Sequence, residues 1–420
     1  KIFKYFRKFN QIMIEKKECS ICGNIDITEI VSLGDSPPAN NFVNHADEIV
    51  ESFPLILDYC KICACIQLRH CLSESELYSN YTYSTPNAVS LQNHYKDILK
   101  KLRDLDFVNN EKKCLEIGSN NGNLLKFLSP HFKKVLGIDP AENIAQIANN
   151  QGIETWVNFF SDDISEKIIK KFDKFDVGIA RHMFAHNNDP KKLMSAMSKV
   201  LDENGIFIIE NAYAIDTFEN GEFDQIYHEH MFYYSLTNIN YLLKEFDFEV
   251  VDLMFSKVHG GSMAFICSKK GKLSISDAVK ETADKEGLYF SGNKIFNDFL
   301  NKIHELKKEI KNLLLDASKN NLSVGSYGAP AKAFTMFSFL EIDRKDIKFC
   351  VDTTPTKIDK FFPNFGIPVI SEESLKKEIY DILIINAWNY KDEIKAKSKT
   401  IFKKGTKLVF PIPYLEVFEV

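Results

Sequence analysis

Four successive residues, Tyr227, His228, Glu229 and His230, could each move a proton or bind a metal ion, and they lie in a segment rich in Phe, Tyr, Ile and Leu. A lone histidine in such a segment is usually a hydrogen-bonded core residue or part of a polar loop. Four such groups together are costly to desolvate without partners or a function. The cluster therefore predicts a site for proton transfer or for metal binding.

The backbone between Tyr227 and His230 decides which of these side chains can act together. In an extended segment His228 and His230 share one face, while Tyr227 and Glu229 share the other. A joint role for Glu229 and His230 therefore requires a turn or kink, which we predict here. A metal site built on both histidines lacks a third and a fourth ligand at a recognisable spacing nearby.

Length and composition describe an ordinary globular protein. The chain has 420 residues, enough for two or three domains, and is 45% hydrophobic and 26% charged. A net charge of −5 gives no general attraction to nucleic acid or to anionic membranes. No apolar run approaches the length of a membrane span or of a secretory signal. We therefore expect a cytoplasmic protein with neither a nucleic-acid partner nor a membrane partner.

Two Cys-x-x-Cys pairs, Cys19/Cys22 and Cys60/Cys63, lie near the start of the chain. Each pair can present two thiolates to one tetrahedral ion, and two pairs complete a closed structural zinc site. Such a metal would stabilise a small domain that lacks enough core of its own. The alternatives are buried thiols without a ligand or a redox pair, and Cys65 could replace Cys63 as a ligand.

A strand that contains Glu116 is followed by a glycine turn from Gly118 to Gly122, and the next strand ends at Asp139 and Pro140. Glycines in such a turn let the backbone approach a ligand, and an acidic residue about twenty positions on can bind the two hydroxyl groups of a ribose. The turn lacks the third glycine of the dinucleotide fingerprint, which disfavours an ordinary NAD site. The pattern looks like that of methyltransferases that use S-adenosylmethionine (SAM).

Further predicted strands at 175–180, 205–211, 249–255 and 263–267 alternate with helices, and the last two form a hairpin at a sheet edge. Alternating elements of this kind predict an α/β fold with a mostly parallel sheet and ligands at the carboxyl ends of its strands. The residues expected at those ends are Gly118, Asp139, His182, His186 and the segment that leads to His230.

A second alternating block begins near residue 322, after a predicted helical region at 274–320. Gly325, Gly328 and Lys332 at the start of a helix could bind phosphate through backbone N–H groups, the helix dipole and an ammonium group. A plain strand-to-helix turn explains the same residues equally well. The block predicts a second, smaller α/β domain.

Taken in order, six features of the sequence resemble the nucleotide-sugar C-methyltransferases, which methylate a carbon atom of keto-deoxysugars bound to a nucleotide diphosphate. The six features are the four cysteines, Leu-Glu-Ile-Gly-Ser-Asn-Asn-Gly at 115–122, Ile-Tyr-His-Glu-His at 226–230 with Tyr-Tyr-Ser at 233–235, His-Gly-Gly-Ser at 259–262, Tyr-Gly-Ala-Pro-Ala-Lys at 327–332, and Val-Asp-x-x-Pro-x-Lys at 351–357.

The resemblance implies a chain of three domains. These are a small N-terminal zinc-binding domain at 1–80, a central class I SAM-dependent methyltransferase domain with a Rossmann-like sheet at 81–270, and a smaller Rossmann-like α/β domain at 271–420. The C-terminal domain is expected to help bind the nucleotide sugar. The expected ligands are SAM, a structural zinc ion and a nucleotide-diphosphate sugar, and we expect a monomer.

The resemblance also implies roles for individual residues. His230 is expected to be the base, with the other catalytic residues being Glu229, Tyr227, His186 and Tyr81, or Tyr83 in place of Tyr81. The expected SAM-binding residues are Glu116, Gly118, Asn120, Gly122, Asp139, Pro140 and His182. The expected substrate-binding residues are Tyr83, His259, Tyr327, Lys332 and Asp352, and the expected zinc ligands are Cys19, Cys22, Cys60 and Cys63.

The expected reaction follows from the weak nucleophilicity of carbon. A ketone acidifies the adjacent C–H group, so that a base near neutrality, such as His230, can remove the proton. Transfer of the methyl group then requires alignment and no metal ion. Two alternatives stay open: an O- or N-methyltransferase acting on the same class of sugar, and an inactive methyltransferase fold that serves as a zinc-ribbon binding protein.

Overall fold

The computed structural model describes residues 13–72, Thr85, 89–257 and 260–420. Three residues that the sequence analysis assigned to the site, Tyr81, Tyr83 and His259, lie outside the described residues. Within the described ranges, no helix combines the length and the apolar character that a membrane span requires.

The N-terminal part is built from short antiparallel strands. In β3 the buried side chains of Phe53, Leu55 and Leu57 alternate with partly exposed ones, which is the period expected of a strand with one face on a core. β2, β3 and β4 form one sheet, and β1 pairs with β5. The strands are β1 Met13–Glu15, β2 Ile27–Ser36, β3 Phe53–Cys60, β4 Cys65–Leu68 and β5 His70–Leu72.

The central part is a seven-stranded sheet in the order β12-β13-β10-β9-β6-β7-β8. Neighbours among β6 to β10 run parallel, and β13 is antiparallel to both β10 and β12. The strands are β6 Lys113–Ile117, β7 Lys134–Asp139, β8 Thr155–Val157, β9 Phe175–Arg181, β10 Leu201–Ala212, β12 Phe248–Ser256 and β13 Ser262–Lys269, with β11 Phe232–Tyr233 lying between β10 and β12 in the chain. The predicted α/β fold and the hairpin at its edge are confirmed.

Helices connect these strands and cover the sheet. Three of them begin directly after Ser161, Asp189 or Ser235, whose side chains accept a hydrogen bond from a free backbone N–H of the first turn. The helices are α1 Val89–Asp104, α2 Asn123–Leu128, α3 Glu142–Asn150, α4 Asp162–Phe172, α5 Pro190–Val200, α6 Ala214–Glu219 and α7 Leu236–Lys244.

The C-terminal part starts with two helices and continues into a second seven-stranded sheet, in the order β16-β17-β15-β14-β18-β19-β20. Its five inner strands are parallel, and β16 and β20 close the two edges antiparallel. The elements are α8 Asp277–Phe290, α9 Lys294–Lys319, β14 Val324–Tyr327, α10 Lys332–Leu340, β15 Cys350–Asp352, β16 Phe361–Phe362, β17 Ile367–Ser371, α11 Glu372–Leu375, β18 Ile382–Ile385, α12 Lys391–Ile401, β19 Lys407–Phe410 and β20 Glu416–Glu419.

The apolar core is continuous across the three parts. One cluster of buried side chains runs from Cys19 and Leu57 through Phe207 to Phe334 and Ile412. A second cluster lies between the central sheet and α1 and α2. The two large sheets and the N-terminal sheet therefore share one interior, and each can fix the position of residues in its neighbours.

Candidate active site and metal centre

The four cysteines of the two Cys-x-x-Cys pairs meet in space. Their sulfur atoms all lie within 4.8 Å of one another, and the Sγ–Sγ distances Cys19–Cys63 and Cys22–Cys60 are both 3.4 Å. Tetrahedral zinc with Zn–S bonds of about 2.3 Å requires sulfur separations of about 3.8 Å. The four residues therefore fit a closed structural zinc site with no ligand position left for a reaction.

Cys65, the alternative fourth ligand, is buried beside this group but is not among the four sulfur atoms that meet. Its thiol donates to Gln67 Oε1 at 3.7 Å. The two loops that carry the ligands are short turns, and in the first of them Gly23 N donates to Cys19 O at 2.8 Å.

A cleft of about 1180 Å³, part of it open to solvent, lies at the carboxyl ends of β6, β7 and β9. Six predicted site residues line it: Gly118, Asn120, Asp139, Pro140, His182 and His186. The Asp139 carboxylate accepts from Asn120 N at 2.8 Å and from Ala141 N at 2.9 Å. These bonds fix the carboxylate at the wall of the cleft, where it can accept from the hydroxyl groups of a ribose.

Two glycines shape the turn that follows β6. Gly118 and Gly122 have φ angles of 66° and 75°, a region that side chains disfavour. A Cβ atom on Gly118 would lie 2.7 Å from Met183 Cβ, and one on Gly122 would lie 2.9 Å from Ala148 Cβ. Gly122 does not line the cleft, so it serves close packing of α2 on α3.

Glu116 lies in the sheet and not among the residues that line the cleft. Its side chain is buried, with Oε1 3.2 Å from Arg181 Nη2, and burial raises its pKa to about 7 although Arg181 opposes the shift. Arg181 itself lines the cleft, at the end of β9. The structure thus places Arg181, which the sequence analysis missed, between the predicted residue and the ligand space.

A second buried contact, between a histidine and a carboxylate, supports the same wall. His94 of α1 lies 2.7 Å from Glu210 Oε1 of β10, and His182 Nε2 lies 3.9 Å from the same oxygen. The neighbouring Tyr95 ring packs under the Arg181 guanidinium at 5.1 Å. Helix α1 is therefore anchored to the sheet through polar groups beneath the cleft, a contact that no local sequence pattern reveals.

The segment before α1 also reaches the cleft. Thr85 N donates to Asn120 Oδ1 and Thr85 O accepts from Asn121 Nδ2, both at 2.8 Å. Thr85 lines the cleft, as does Leu91 on the first turns of α1. The glycine turn is thereby tied to the chain that follows the N-terminal sheet.

The residues from Tyr227 to His230 form a turn, as predicted, with His230 N donating to Tyr227 O at 2.9 Å. His230 Nδ1 lies 2.9 Å from Gln225 O, and Nε2 lies 2.7 Å from the Tyr227 hydroxyl group. The His186 ring meets the His230 ring edge to face at a centroid distance of 4.9 Å. Because His186 also lines the cleft, the turn and the cleft are contiguous.

The other two residues of the cluster face the N-terminal part. Glu229 is 8% exposed and accepts a hydrogen bond from Asn40, and burial raises its pKa to about 7. His228 Nε2 donates to Phe53 O at 3.2 Å. Among the described residues, the groups able to hold a metal ion are the four cysteines alone, which leaves His228 and His230 outside any metal site.

The three predicted substrate residues of the C-terminal part lie near the carboxyl ends of its parallel strands. Tyr327 donates to Glu372 Oε2 at 2.7 Å. Asp352 accepts from Ala329 N and from Thr354 N, each at 2.7 Å, which repeats the arrangement at Asp139.

Lys332, the predicted phosphate ligand, is held by protein groups. Its ammonium lies 3.7 Å from Asp224 Oδ2 and 3.7 Å above the Trp388 ring, and Trp388 Nε1 donates to the same carboxylate oxygen at 2.7 Å. Burial lowers the pKa of Lys332. The residue therefore joins the C-terminal part to the segment that leads into the His230 turn.

Three family models match successive parts of the chain. They are described as "Putative zinc binding domain" at 19–78, "Methyltransferase domain" at 90–253 and "C-methyltransferase C-terminal domain" at 257–413. The chain is 29% identical over 400 residues to the C-methyltransferase NovU of Streptomyces niveus, a match that covers 94% of this chain and 95% of that protein.

Other matches cover smaller shares of the chain. An uncharacterized methyltransferase, YcgJ of Bacillus subtilis, is 26% identical over 106 residues, which cover 25% of this chain and 42% of YcgJ. Among solved structures, the magnesium protoporphyrin IX methyltransferase of Synechocystis with bound SAM is 13% identical, with a TM-score of 0.34, and the match covers 45% of this chain and 88% of that chain.

Proposed function

We propose that this chain is a zinc-containing C-methyltransferase and that it methylates a nucleotide-linked keto-deoxysugar at the carbon atom adjacent to the ketone. The observation that carries the proposal is the contact between His230 and His186, which brings a ring nitrogen suited to proton transfer to the edge of the SAM cleft. We assign SAM binding to the central part and part of the nucleotide-sugar binding to the C-terminal part.

His230 is proposed as the base. A carbonyl oxygen only accepts, so the bond to Gln225 O places a hydrogen on Nδ1 and leaves the basic lone pair on Nε2. Nε2 takes the proton from the substrate C–H group, and the electron pair of that bond passes into an enolate. The Tyr227 hydroxyl group, 2.7 Å from Nε2, either yields its place to the substrate or relays the proton.

His186 is proposed to act at the enolate oxygen. Burial lowers its pKa to about 4, so the ring is neutral near pH 7 and can donate a hydrogen bond without carrying charge. Bound SAM supplies an electrophilic methyl group on a sulfonium. The residues around the cleft orient the carbon atom of the enolate toward that methyl group, which makes the transfer mainly a matter of positioning.

The proposal is tested with purified protein, SAM and a panel of nucleotide-linked ketosugars in deuterated water. We expect solvent deuterium at the carbon adjacent to the ketone when SAM is omitted, and a C-methyl signal by NMR when SAM is added. A methyl group found on oxygen or nitrogen, or no exchange and no product across the panel, contradicts the proposal.

The base is tested by His230→Asn, which keeps a polar side chain but removes the basic nitrogen. We expect the rate to fall by about 10² to 10⁴, with the SAM dissociation constant within about twofold of that of the wild type. His304→Asn, a change on α9 remote from the cleft lining, is the matched control. A retained rate in His230→Asn excludes His230 as the base.

A further inference from the structure

The N-terminal sheet is completed by residues that directly follow the His230 turn. Phe232 and Tyr233 pair antiparallel with Gln67 and Ile66 of β4, so that β11 is the outermost strand of the sheet order β11-β4-β3-β2. Leu68 N also donates to Met231 O at 2.9 Å. The turn is therefore continuous with an edge strand of the zinc-binding sheet.

His228 connects the turn to the next strand of the same sheet. Its ring is 1% exposed, Nε2 donates to Phe53 O at 3.2 Å, and the two rings meet edge to face at 6.0 Å. Burial lowers the pKa of His228 to about 4, so the ring is a neutral donor at physiological pH. Phe53 is the first residue of β3, and Cys60, a member of the metal group, is the last.

The same segment also touches the metal group and the cleft wall. Asn238 Nδ2 donates to the backbone oxygen of Cys63 at 3.1 Å. Met231 N donates to Ala185 O at 2.9 Å, and Ala185 precedes His186 in the chain. Residues 228–238 thus bridge the zinc-binding sheet on one side and the His186 loop on the other.

We infer that the zinc-binding sheet positions His230, and that His228 is the positioning residue that transmits the strand geometry to the turn. A metal ion on Cys60 and Cys63 closes the connection between β3 and β4, and these two strands present Phe53 O and the edge that accepts β11. This inference rests on the proposed role of His230, but its structural part is measured without turnover.

The measurement is amide hydrogen exchange by mass spectrometry on the full, zinc-loaded protein with SAM present. Three variants are compared with the wild type: His228→Leu, which removes the donor; His228→Gln, which restores a donor; and Asn364→Ala, a matched control. Asn364 bonds Val50 N at 2.8 Å, and Val50 O and Ser52 Oγ each at 2.9 Å, so it ties the N-terminal part to the C-terminal part just before β3. It therefore tests whether loss of any side-chain bond near the start of β3 has the same effect as loss of the His228 bond.

We expect exchange at Leu68 and Met231 to rise about tenfold in His228→Leu, since a lost buried hydrogen bond changes local opening by about that factor. His228→Gln should recover most of the protection, and Asn364→Ala should leave these two amides unchanged. Zinc content and SAM affinity should stay within about twofold in all variants, while kcat falls in His228→Leu without a matching rise in KM for SAM.

Zinc removal gives an independent result on unmodified protein. A chelator should raise exchange at Leu68 and Met231 before it affects β6 and β7 around the SAM cleft. Unchanged exchange in His228→Leu, no recovery in His228→Gln, or an equal rise across the turn and the central sheet overturns the inference. If His228→Leu does not fold, the chelator series and His228→Gln still test whether the zinc-binding sheet positions the His230 turn.

Discussion

His230 is held through both ring nitrogens, one toward a backbone carbonyl and one toward a phenol. The residue types in the cluster are visible in the sequence and predict proton transfer. The tautomer of His230 cannot be read from the sequence. It depends on the Gln225 carbonyl group, which the turn brings within hydrogen-bond distance of the ring. The same turn separates His230 from Glu229, which contacts Asn40 instead.

Buried ionisable groups near the turn respond to pH in opposite directions. The raised pKa of Glu229, about 7, makes folding more favourable when the carboxyl is protonated, so this contribution is full below the ordinary pKa of 4.5 and is lost as pH rises through 7. The lowered pKa of His228, about 4, has the opposite effect, because this contribution is present above pH 6.5 and is lost as pH falls toward 4. A variant that changes Glu229 alone is needed to separate its contribution to stability from that of His228.

We predict that Glu229→Gln stabilises the protein relative to the wild type at pH 7.5 and not at pH 4.5. The glutamine keeps an acceptor for Asn40 and avoids burying a charge, and the gain should be about 2 kcal/mol. Denaturant unfolding at both pH values measures it. The matched control is Glu245→Gln, at a side chain that is 54% exposed in a surface ion pair; an equal effect in both variants would contradict the assignment to burial.

At the scale of elements, α1 contributes Leu91 to the lining of the proposed SAM cleft. Its apolar face packs against the central sheet, and His94, Tyr95 and Lys101 add polar contacts to Glu210, Arg181 and Asp252. The His94–Glu210 pair was not predicted from the sequence. The two residues are 116 positions apart in the chain, so no local sequence pattern indicates their contact.

We predict that His94→Leu lowers the free energy of unfolding by about 3 kcal/mol, because it removes a partner from a buried carboxylate. SAM affinity should fall as well, since Leu91 of α1 lines the proposed SAM cleft. Lys101→Met removes a partly exposed ion pair from the same helix and should cost less than about 1 kcal/mol. Calorimetric SAM titration and denaturant unfolding measure both, and similar losses in the two variants would rule out a special role for His94.

The sequence allowed the long, strongly patterned elements to be predicted, whereas the short strands were missed. β6 was predicted with its observed bounds, and the predicted bounds of β7 and β9 differ from the observed ones by one residue. β8, β16 and β20 were missed, since each has two to four residues near a sheet edge and shows little pattern. The apolar run that starts at Ile347 becomes a strand only at Cys350, because Ile347 N is bonded to Asp343 O in a turn.

At the scale of the whole molecule, the larger of the two apolar clusters is shared by all three parts and includes cysteines of the metal group. Cys19, Cys60 and Cys63 are buried within the same cluster as residues of both large sheets. Loss of the metal therefore disturbs side chains that pack against residues of both large sheets. We therefore expect the N-terminal part to unfold together with the rest of the chain and not as an independent small domain.

We predict about one zinc equivalent in freshly purified protein. Chelation should lower the midpoint of thermal unfolding, and calorimetry should still show one transition. Readdition of zinc alone should restore the midpoint, and Cys22→Ser should prevent that recovery. Cys267→Ser, at a buried cysteine outside the metal group, is the control for loss of a thiol. Two separate transitions in the metal-free protein would contradict the shared interior.

The placement of β11 limits how this architecture can be recombined. An N-terminal part transplanted from a relative arrives without its last strand, because Phe232 and Tyr233 come from the middle of the chain. The unpaired backbone groups at the edge of β4 could then form hydrogen bonds with a strand of another chain, which promotes aggregation. A chimaera designed to change substrate preference should therefore exchange residues 13–72 and 228–238 together. All four strands of the N-terminal sheet then come from the same protein.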